Sequence, residues 1–416
     1  VSPKGKGSIE ALVPRGLLLL NSDELIDAPV NVEGLSAIRV KWRSGIISAI
    51  EIIAPDGLSP KKLLLPRLFE PHAHLDKAFT WKQFANLRGT YQCALSANMQ
   101  EHEIRSKALV RQRAEKAMAL ALRNGVKAIR SHVDVLDGRQ DESWESLVDL
   151  QCDWRGLIEL QLVALSRLDF WSGSPGRVFA KKVAQAGGLL GGVIVPPFEK
   201  KIVKDSLQKL LSLAEELGCG IDLHVDEAAS HPAAGLQQLL SALEEMKISV
   251  PITCSHLSSM ALMSTGELNR LAERMAHHKI KVVALPLTNS WLLGRTSTSR
   301  ATPLVRPVAP VCQLQNAGVT VAVGGDNVQD SWFPAGNFDP IALMGFSLAM
   351  VHLAPWQRLG LAPFTSAAAE VMGIDWNGGV QIGNAADFLL VDAASWSEAM
   401  AAPPTRKVMI NGNWID

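Results

Sequence analysis

Apolar positions along the chain follow two rhythms. Val203, Leu207, Leu210, Leu211, Ala214 and Leu217 recur at helical spacing, and Gly218 follows where a left-handed cap would close the helix. Leu236, Leu239, Leu240, Leu243 and Met246 repeat the pattern. Between such stretches lie short apolar runs at 63–74, 126–135, 158–165, 189–195, 220–227, 252–256, 281–287 and 319–326, which read as strands. Eight strands alternating with helices predict an α/β chain, a distorted (β/α)8 TIM barrel.

The two ends have a different texture. Runs at 17–20, 37–40 and 46–53 are punctuated by Gly34, Gly45 and Pro55-Asp56-Gly57. Runs at 386–391 and 407–410 precede a turn at Asn411-Gly412-Asn413. Both ends together predict a small β-sandwich domain formed by the two termini. The expected division is 1–65 with 371–416 for this composite domain and 66–370 for the barrel.

Composition narrows the function. The 416 residues carry 41 basic and 41 acidic side chains, so the formal net charge is zero, and no basic run marks a nucleic-acid partner. With 47% hydrophobic and 20% charged residues, the chain is expected to bury a large core. Leu17 to Leu20 is far shorter than the about 18 residues of a membrane span, and Pro14-Arg15 interrupts any signal-peptide reading, so no membrane partner is expected. Five cysteines without a C-x-x-C pair predict reduced thiols and a cytoplasmic location. Gly187-Gly188 and Gly191-Gly192 open no phosphate-binding pattern.

The candidate chemistry falls at the carboxyl ends of predicted strands, where barrel enzymes place their reactive groups. In Pro71-His72-Ala73-His74, strand alternation puts His72 and His74 on one side, able to share a metal ion. His224 ends a strand with Glu227 just beyond, His256 ends Thr253-Cys254-Ser255-His256, and Asp326 follows Gly324-Gly325. Each residue alone reads equally as a packed core group. Their recurrence at strand ends one, five, six and eight points to a neutral-plus-anionic ligand set for one divalent Zn or Fe, with a position left for water. His102, His231, His277, His278 and His352 read as solvated or packing, Cys254 as core, and Trp332 and Trp291 as exceptions among mostly buried tryptophans.

These motifs resemble the amidohydrolase superfamily, and within it the cytosine deaminase-like branch. The resemblance is carried by Phe69-Glu70-Pro71-His72-Ala73-His74-Leu75-Asp76, Arg130-Ser131-His132-Val133-Asp134-Val135, Leu160-Gln161-Leu162-Val163-Ala164, Asp222-Leu223-His224-Val225-Asp226-Glu227 and Ser255-His256. It extends through Leu293-Gly294-Arg295, Asp326-Asn327-Val328-Gln329-Asp330-Ser331-Trp332 and Ala385-Ala386-Asp387-Phe388-Leu389-Leu390-Val391-Asp392. The resemblance implies that His72, His74, His224 and Asp326 hold the metal. It implies that His256 hydrogen-bonds the metal-activated hydroxide, that Asp326 accepts its proton, and that Glu227 carries protons between water and substrate. Gln161 would then hold the ring carbonyl and amide edge, Trp332 would wall the ring, Asn327 would meet an amine or a carbonyl, and His132 would hydrogen-bond behind the ligands. Strand four ends in Gly192-Val193-Ile194-Val195, without the Lys or Glu that bridges two ions, so one ion is expected.

The activity so implied is metal-dependent hydrolytic release of ammonia from an amino-substituted, carbonyl-bearing nitrogen heterocycle, with cytosine or a close analogue first. Asn327 stands where cytosine deaminases of the family carry a second acid, and Lys77 after His74-Leu75-Asp76 is closer to the triazine amidohydrolases. An aminotriazine, isoguanine or creatinine is therefore the alternative substrate. The alternative of another class is a barrel retained as an inactive ligand-binding protein. The expected partner is the small heterocycle, and a homo-oligomer is left open.

Overall fold

The computed structural model describes residues 5–20, 29–53, 60–136, 140–295, 301–402 and 404–415. The chain first lays down β1 (Gly7–Pro14), β2 (Leu35–Arg43), β3 (Ile46–Ile52) and β4 (Leu63–Pro66). Eight strands follow: β5 (Leu68–Ala73), β6 (Val126–Asp134), β7 (Glu159–Arg167), β8 (Leu189–Ile194), β9 (Ile221–Val225), β10 (Ile252–His256), β11 (Lys281–Ala284) and β12 (Val321–Val323). The chain ends with β13 (Phe388–Val391), β14 (Arg406–Ile410) and β15 (Asn413–Ile415).

Strands β5 to β12 pair in chain order, every neighbour parallel. The seam between first and last is closed just past β12, where the Asp326 N–H donates to the His72 carbonyl at 3.1 Å and Ala73 bridges Asp326. This is the expected parallel barrel. Its helices form for the reason the sequence suggests. In Lys200–Leu217, residues Leu207, Leu210, Leu211 and Ala214 are buried on one face, and Gly218 ends the helix at φ 65° in the left-handed region. Each such buried leucine contributes about 2 kcal/mol of apolar burial.

The terminal strands form one mixed sheet in the order β15-β14-β13-β4-β1-β2-β3. The sheet curls until its β3 edge meets the segment leading into β13: Ile46 bridges Ala385, Ile47 N–H donates to the Asn384 carbonyl at 2.9 Å, and Trp42 Nε1 donates to the Gly412 carbonyl at 2.9 Å. Ala11, Val13, Ile38, Val40, Leu64, Phe388 and Met409 are enclosed between the two halves. The expected two layers thus come from a single continuous sheet.

Local details differ from the sequence reading. The run 63–74 is two strands in two sheets, separated by Arg67, a buried guanidinium of which one terminal nitrogen donates to the carbonyls of Val126 and Leu157. Residues 17–20 are not a strand, because Arg15–Leu17 is a 3-10 turn and only Leu18 pairs, with Val380. Strand β1 was not anticipated, since its polar start Gly-Ser-Ile-Glu hides the apolar end that follows. The turn expected at Pro55-Asp56-Gly57 lies outside the described residues. Between β5 and β6 runs the helix Tyr91–Ile104, which has little apolar periodicity; the Thr90 side chain caps it by accepting from Cys93 N–H. Among the described residues, no helix is long and apolar enough to cross a membrane.

Candidate metal centre and pocket

His72 lies on β5 and His74 one residue past its end, His224 on β9, and Asp326 on the segment that closes the seam. His74 Nε2 stands 3.4 Å from Asp326 Oδ1 and 3.4 Å from His224 Nε2, and His72 Nε2 stands 3.6 Å from the same Asp326 oxygen. All four side chains are buried. Neither carboxylate oxygen of Asp326 nor Nε2 of His72 has a hydrogen-bond partner among the described residues. Unpaired buried acceptors turned toward one another are costly unless a cation satisfies them. Two nitrogens about 2.1 Å from one ion at the tetrahedral angle lie about 3.4 Å apart, so this donor set fits a single divalent ion.

The groups behind these donors fix their tautomers. Ser255 Oγ donates to Asp222 Oδ1 at 3.1 Å and lies 2.8 Å from His72 Nδ1, so it accepts the Nδ1 proton and leaves the Nε2 lone pair facing inward. Asp222 also receives Arg130 at 2.9 Å and faces His132 Nε2 at 3.3 Å. Burial pushes the Asp222 carboxyl up, but His132 and Arg130 outweigh it and hold the group below its usual range. Burial, followed by the His132 charge, drives His72 and His224 well below the ordinary histidine range. Both rings are therefore neutral, as ligation requires. His132 stacks on His72 with centroids 3.9 Å apart.

Beside these four donors sit Glu227 and His256. Glu227 is buried; its Oε1 has no hydrogen-bond partner among the described residues and stands 3.6 Å from His256 Nδ1. Burial first, and then the Asp326 charge, pushes its carboxyl well above the usual range. Asn289 Nδ2 lies 3.0 Å from His256 Nδ1; with the amide donating, the ring proton sits on Nε2. Burial lowers His256 to about 4. His256 and Asp326 both adopt left-handed backbone, φ 72° and 65°, a strained state for residues other than glycine that clusters at functional sites. Gly324 and Gly325 are required just before Asp326, because a Cβ on either would stand 2.9 Å from the buried Glu70 carboxylate.

A cavity of about 490 Å³ opens above this floor, within the range of small-molecule sites. His74, His224, Glu227, His256 and Asp326 line its base, Lys77, Asn327 and Trp332 a side, and Leu95, Met99, Leu136, Leu165 and Val193 its remaining walls. The residues read from the sequence thus converge, with one exception. Gln161 is the third residue of β7, where its oxygen accepts from Arg130 Nε at 3.2 Å and its nitrogen donates to the Met372 carbonyl at 2.9 Å. The β7 residues on the cavity are Leu165, Ser166 and Arg167, and six residues of strand place Gln161 about 20 Å from Arg167. Gln161 therefore does not reach the cavity; its amide edge is engaged at the opposite end of the barrel.

Other assignments also shift. His102, read as solvated or packing, is buried and lines the cavity, and neither ring nitrogen has a partner among the described residues. Trp291 stacks under the Arg295 guanidinium, 4.4 Å from its centroid, and does not line the cavity. Sequence reasoning missed an ion network beside the site. Lys77 Nζ donates to Asp134 Oδ1 at 2.8 Å, Asn98 and Arg105 reach the other oxygen of Asp134, and Arg105 also holds Asp76 at 2.8 Å. The available signal was Asp76-Lys77 directly after the His-x-His pair and Asp134 closing β6.

Comparison with known proteins gives a consistent picture. The sequence pattern of the amidohydrolase family matches residues 173–415. A pterin deaminase from Rhizobium rhizogenes is 31% identical over 400 residues, covering 92% of this chain and 89% of the relative. An N-isopropylammelide isopropyl amidohydrolase from a Pseudomonas species is 23% identical, covering 97% and 96%. Among solved structures, a 5-methylcytosine deaminase from Klebsiella pneumoniae, liganded with 5-fluorocytosine, superposes with a TM-score of 0.78 at 25% identity, covering 91% of this chain and 94% of that one.

Proposed function

Because this chain belongs to the amidohydrolase family, gathers buried residues that could hold a metal ion, and has a relative named for deamination of a heterocycle, we propose that it hydrolyses an amino-substituted nitrogen heterocycle with release of ammonia. The observation that carries this reading is the convergence of His72, His74, His224 and Asp326 on one point, with the buried Glu227 carboxyl beside them. In the proposal these four residues hold one divalent ion, Zn or Fe, as a ligand set of three neutral imidazoles and one carboxylate. A divalent ion there supplies Lewis acidity that brings the pKa of water toward neutrality.

The remaining roles belong to the chain's own groups. Glu227 donates its proton to the ring nitrogen next to the carbon under attack, and Asp326 takes the proton released by the attacking water. His256 presents its Nε2 proton to the nucleophilic oxygen, an orientation that Asn289 fixes from behind. Trp332 covers the ring. The proton held by Asp326 passes to the exocyclic amine, which leaves as ammonia, and the proton of the added hydroxyl returns to Glu227 as the ring carbonyl forms.

Removal of Gln161 from the pocket takes away the group read as the reader of cytosine's edge. A cavity of about 490 Å³ admits a fused two-ring heterocycle, and a pterin deaminase is the 31%-identical relative, so we take a pterin-like 2-amino-4-oxo heterocycle as the leading substrate. The likeness to 5-methylcytosine deaminase supports a second reading, a single ring of the cytosine or aminotriazine type. Ammonia release by metal-analysed protein from pterin, cytosine, isoguanine, creatinine and ammelide tests both. Release from none of them sinks the deaminase reading, and preference for a single ring sinks only the pterin choice.

A further inference from the structure

Lys77 and Asn327 both line the cavity, and each is backed by a buried carboxylate. Asp134 accepts from Lys77 Nζ at 2.8 Å, and Asp330 Oδ2 accepts from Asn327 Nδ2 at 2.9 Å. Asp330 is wholly buried; its other oxygen accepts the backbone N–H groups of Trp332 and Phe333 at 2.9 and 3.1 Å. One carboxylate therefore sets both the Asn327 amide and the loop that carries Trp332. At the far side of the amide, the Thr288 hydroxyl donates to Asn327 Oδ1 at 3.4 Å. An acceptor on one side and a donor on the other give the carboxamide a single orientation, so its oxygen is engaged and its second N–H is what remains for a ligand.

Lys77 reaches the same result by a different route. Burial pulls its ammonium down, but Asp134 and Asp76 outweigh burial and keep it charged. Of its three donors, one is committed to Asp134. Trp332 lies beside it, with Nζ 5.8 Å from the ring centroid, and the indole N–H has no partner among the described residues. The three neighbouring side chains thus offer donors, and the one acceptor among them, Asn327 Oδ1, already takes the Thr288 hydroxyl.

We propose that Lys77 and Asn327 form a donor wall, aligned by Asp134 and Asp330, that selects heterocycles presenting a carbonyl oxygen and a lone-pair ring nitrogen on the edge facing it. The proposal rests on the reading of this cavity as the substrate pocket. It goes further in making Asn327 a donor only, and in naming Asp330 as the positioning residue behind it. An oxo group is then a condition of binding.

The test is calorimetric binding to metal-loaded full-length protein at pH 8, where Asp330, pushed up to about 7 by burial, is ionised. The probes are two pairs differing by the carbonyl, pterin with 2-aminopteridine and cytosine with 4-aminopyrimidine. Wild type is expected to favour the oxo member by on the order of 100-fold; Asp330→Asn, which lets the Asn327 amide reverse, cuts this below about fivefold. Metal content should be unchanged. Lys77→Met should lower the preference separately, with Asp134 still held by Arg105 and Asn98. Equal wild-type affinity within both pairs, no binding of either oxo compound, or a preference untouched by both substitutions overturns the donor wall. Should Asp330→Asn not fold, the wild-type ratio and Lys77→Met decide the matter. Carbonyl-selective binding without ammonia release leaves the wall standing and removes the deaminase reading.

Discussion

The hydroxyl of Ser255 lies 2.8 Å from Nδ1 of His72, and through that contact a ring at the metal centre is tied to Asp222 at the level below. Ser255→Ala removes the acceptor that fixes the His72 tautomer without touching a ligand. Loss of such a supporting partner typically costs 10- to 100-fold in metal affinity. Competition with a chelator, read by metal analysis, should show a drop of about that size, with the folded protein otherwise intact.

His224→Ala removes one of the donors that converge on the proposed ion, and its partner His74 Nε2 loses the neighbour now 3.4 Å away. Retained metal and turnover should disappear together. A folded, fully metallated and active variant would falsify the ligand set.

Glu227→Gln keeps the shape but abolishes titration. Turnover should fall by about 10² to 10⁴ with metal content unchanged. Loss of the metal instead would make Glu227 a ligand, and unchanged turnover would leave it no proton to carry.

Gln161→Leu tests the reassignment of that residue. It strips a partner from Arg130 and from the Met372 carbonyl, so stability should fall by about 1–3 kcal/mol in a denaturant titration. The Michaelis constant should not move; a selective rise would return Gln161 to the substrate.

Asp330 also gives stability a pH dependence of defined sign. Burial raises its folded pKa to about 7 from an ordinary 3.8. Below about pH 4 the folded and unfolded chains both keep the proton; between about 4 and 7 only the folded chain does, so stability falls as pH rises. Against Asp330→Asn, which lacks this linkage, wild type should lose ground by several degrees in melting temperature across that window. A constant gap across the window would contradict the assignment.

The site was legible in the sequence where an apolar run ended in a polar residue, because a parallel barrel turns each such end toward one mouth. His72, His74, His224, His256 and Asp326 all follow that rule. Gln161 entered through the family resemblance and not through this rule: with Glu159 it precedes the apolar middle of β7, at the end away from the mouth, while Ser166 and Arg167 follow it. Helix Tyr91–Ile104 escaped because it packs on the cavity through Tyr91, Asn98 and His102 as much as through Leu95 and Met99, leaving no apolar stripe to read. The carboxylates behind Lys77 and Arg105 come from segments up to 57 residues away, and only tertiary pairing reveals them.

Arg67 is the one residue between β4, in the terminal sheet, and β5, which carries His72. That short joint makes the terminal sheet a mounting plate for the metal centre. Trimming the ends to obtain a minimal barrel would unseat β4 from β1 and β13, and with it the anchor of the first ligand strand. A protease nick or fusion point is tolerable only away from this joint. Engineering of the pocket should accordingly treat residues 63 to 74 as one rigid bracket, to be altered last.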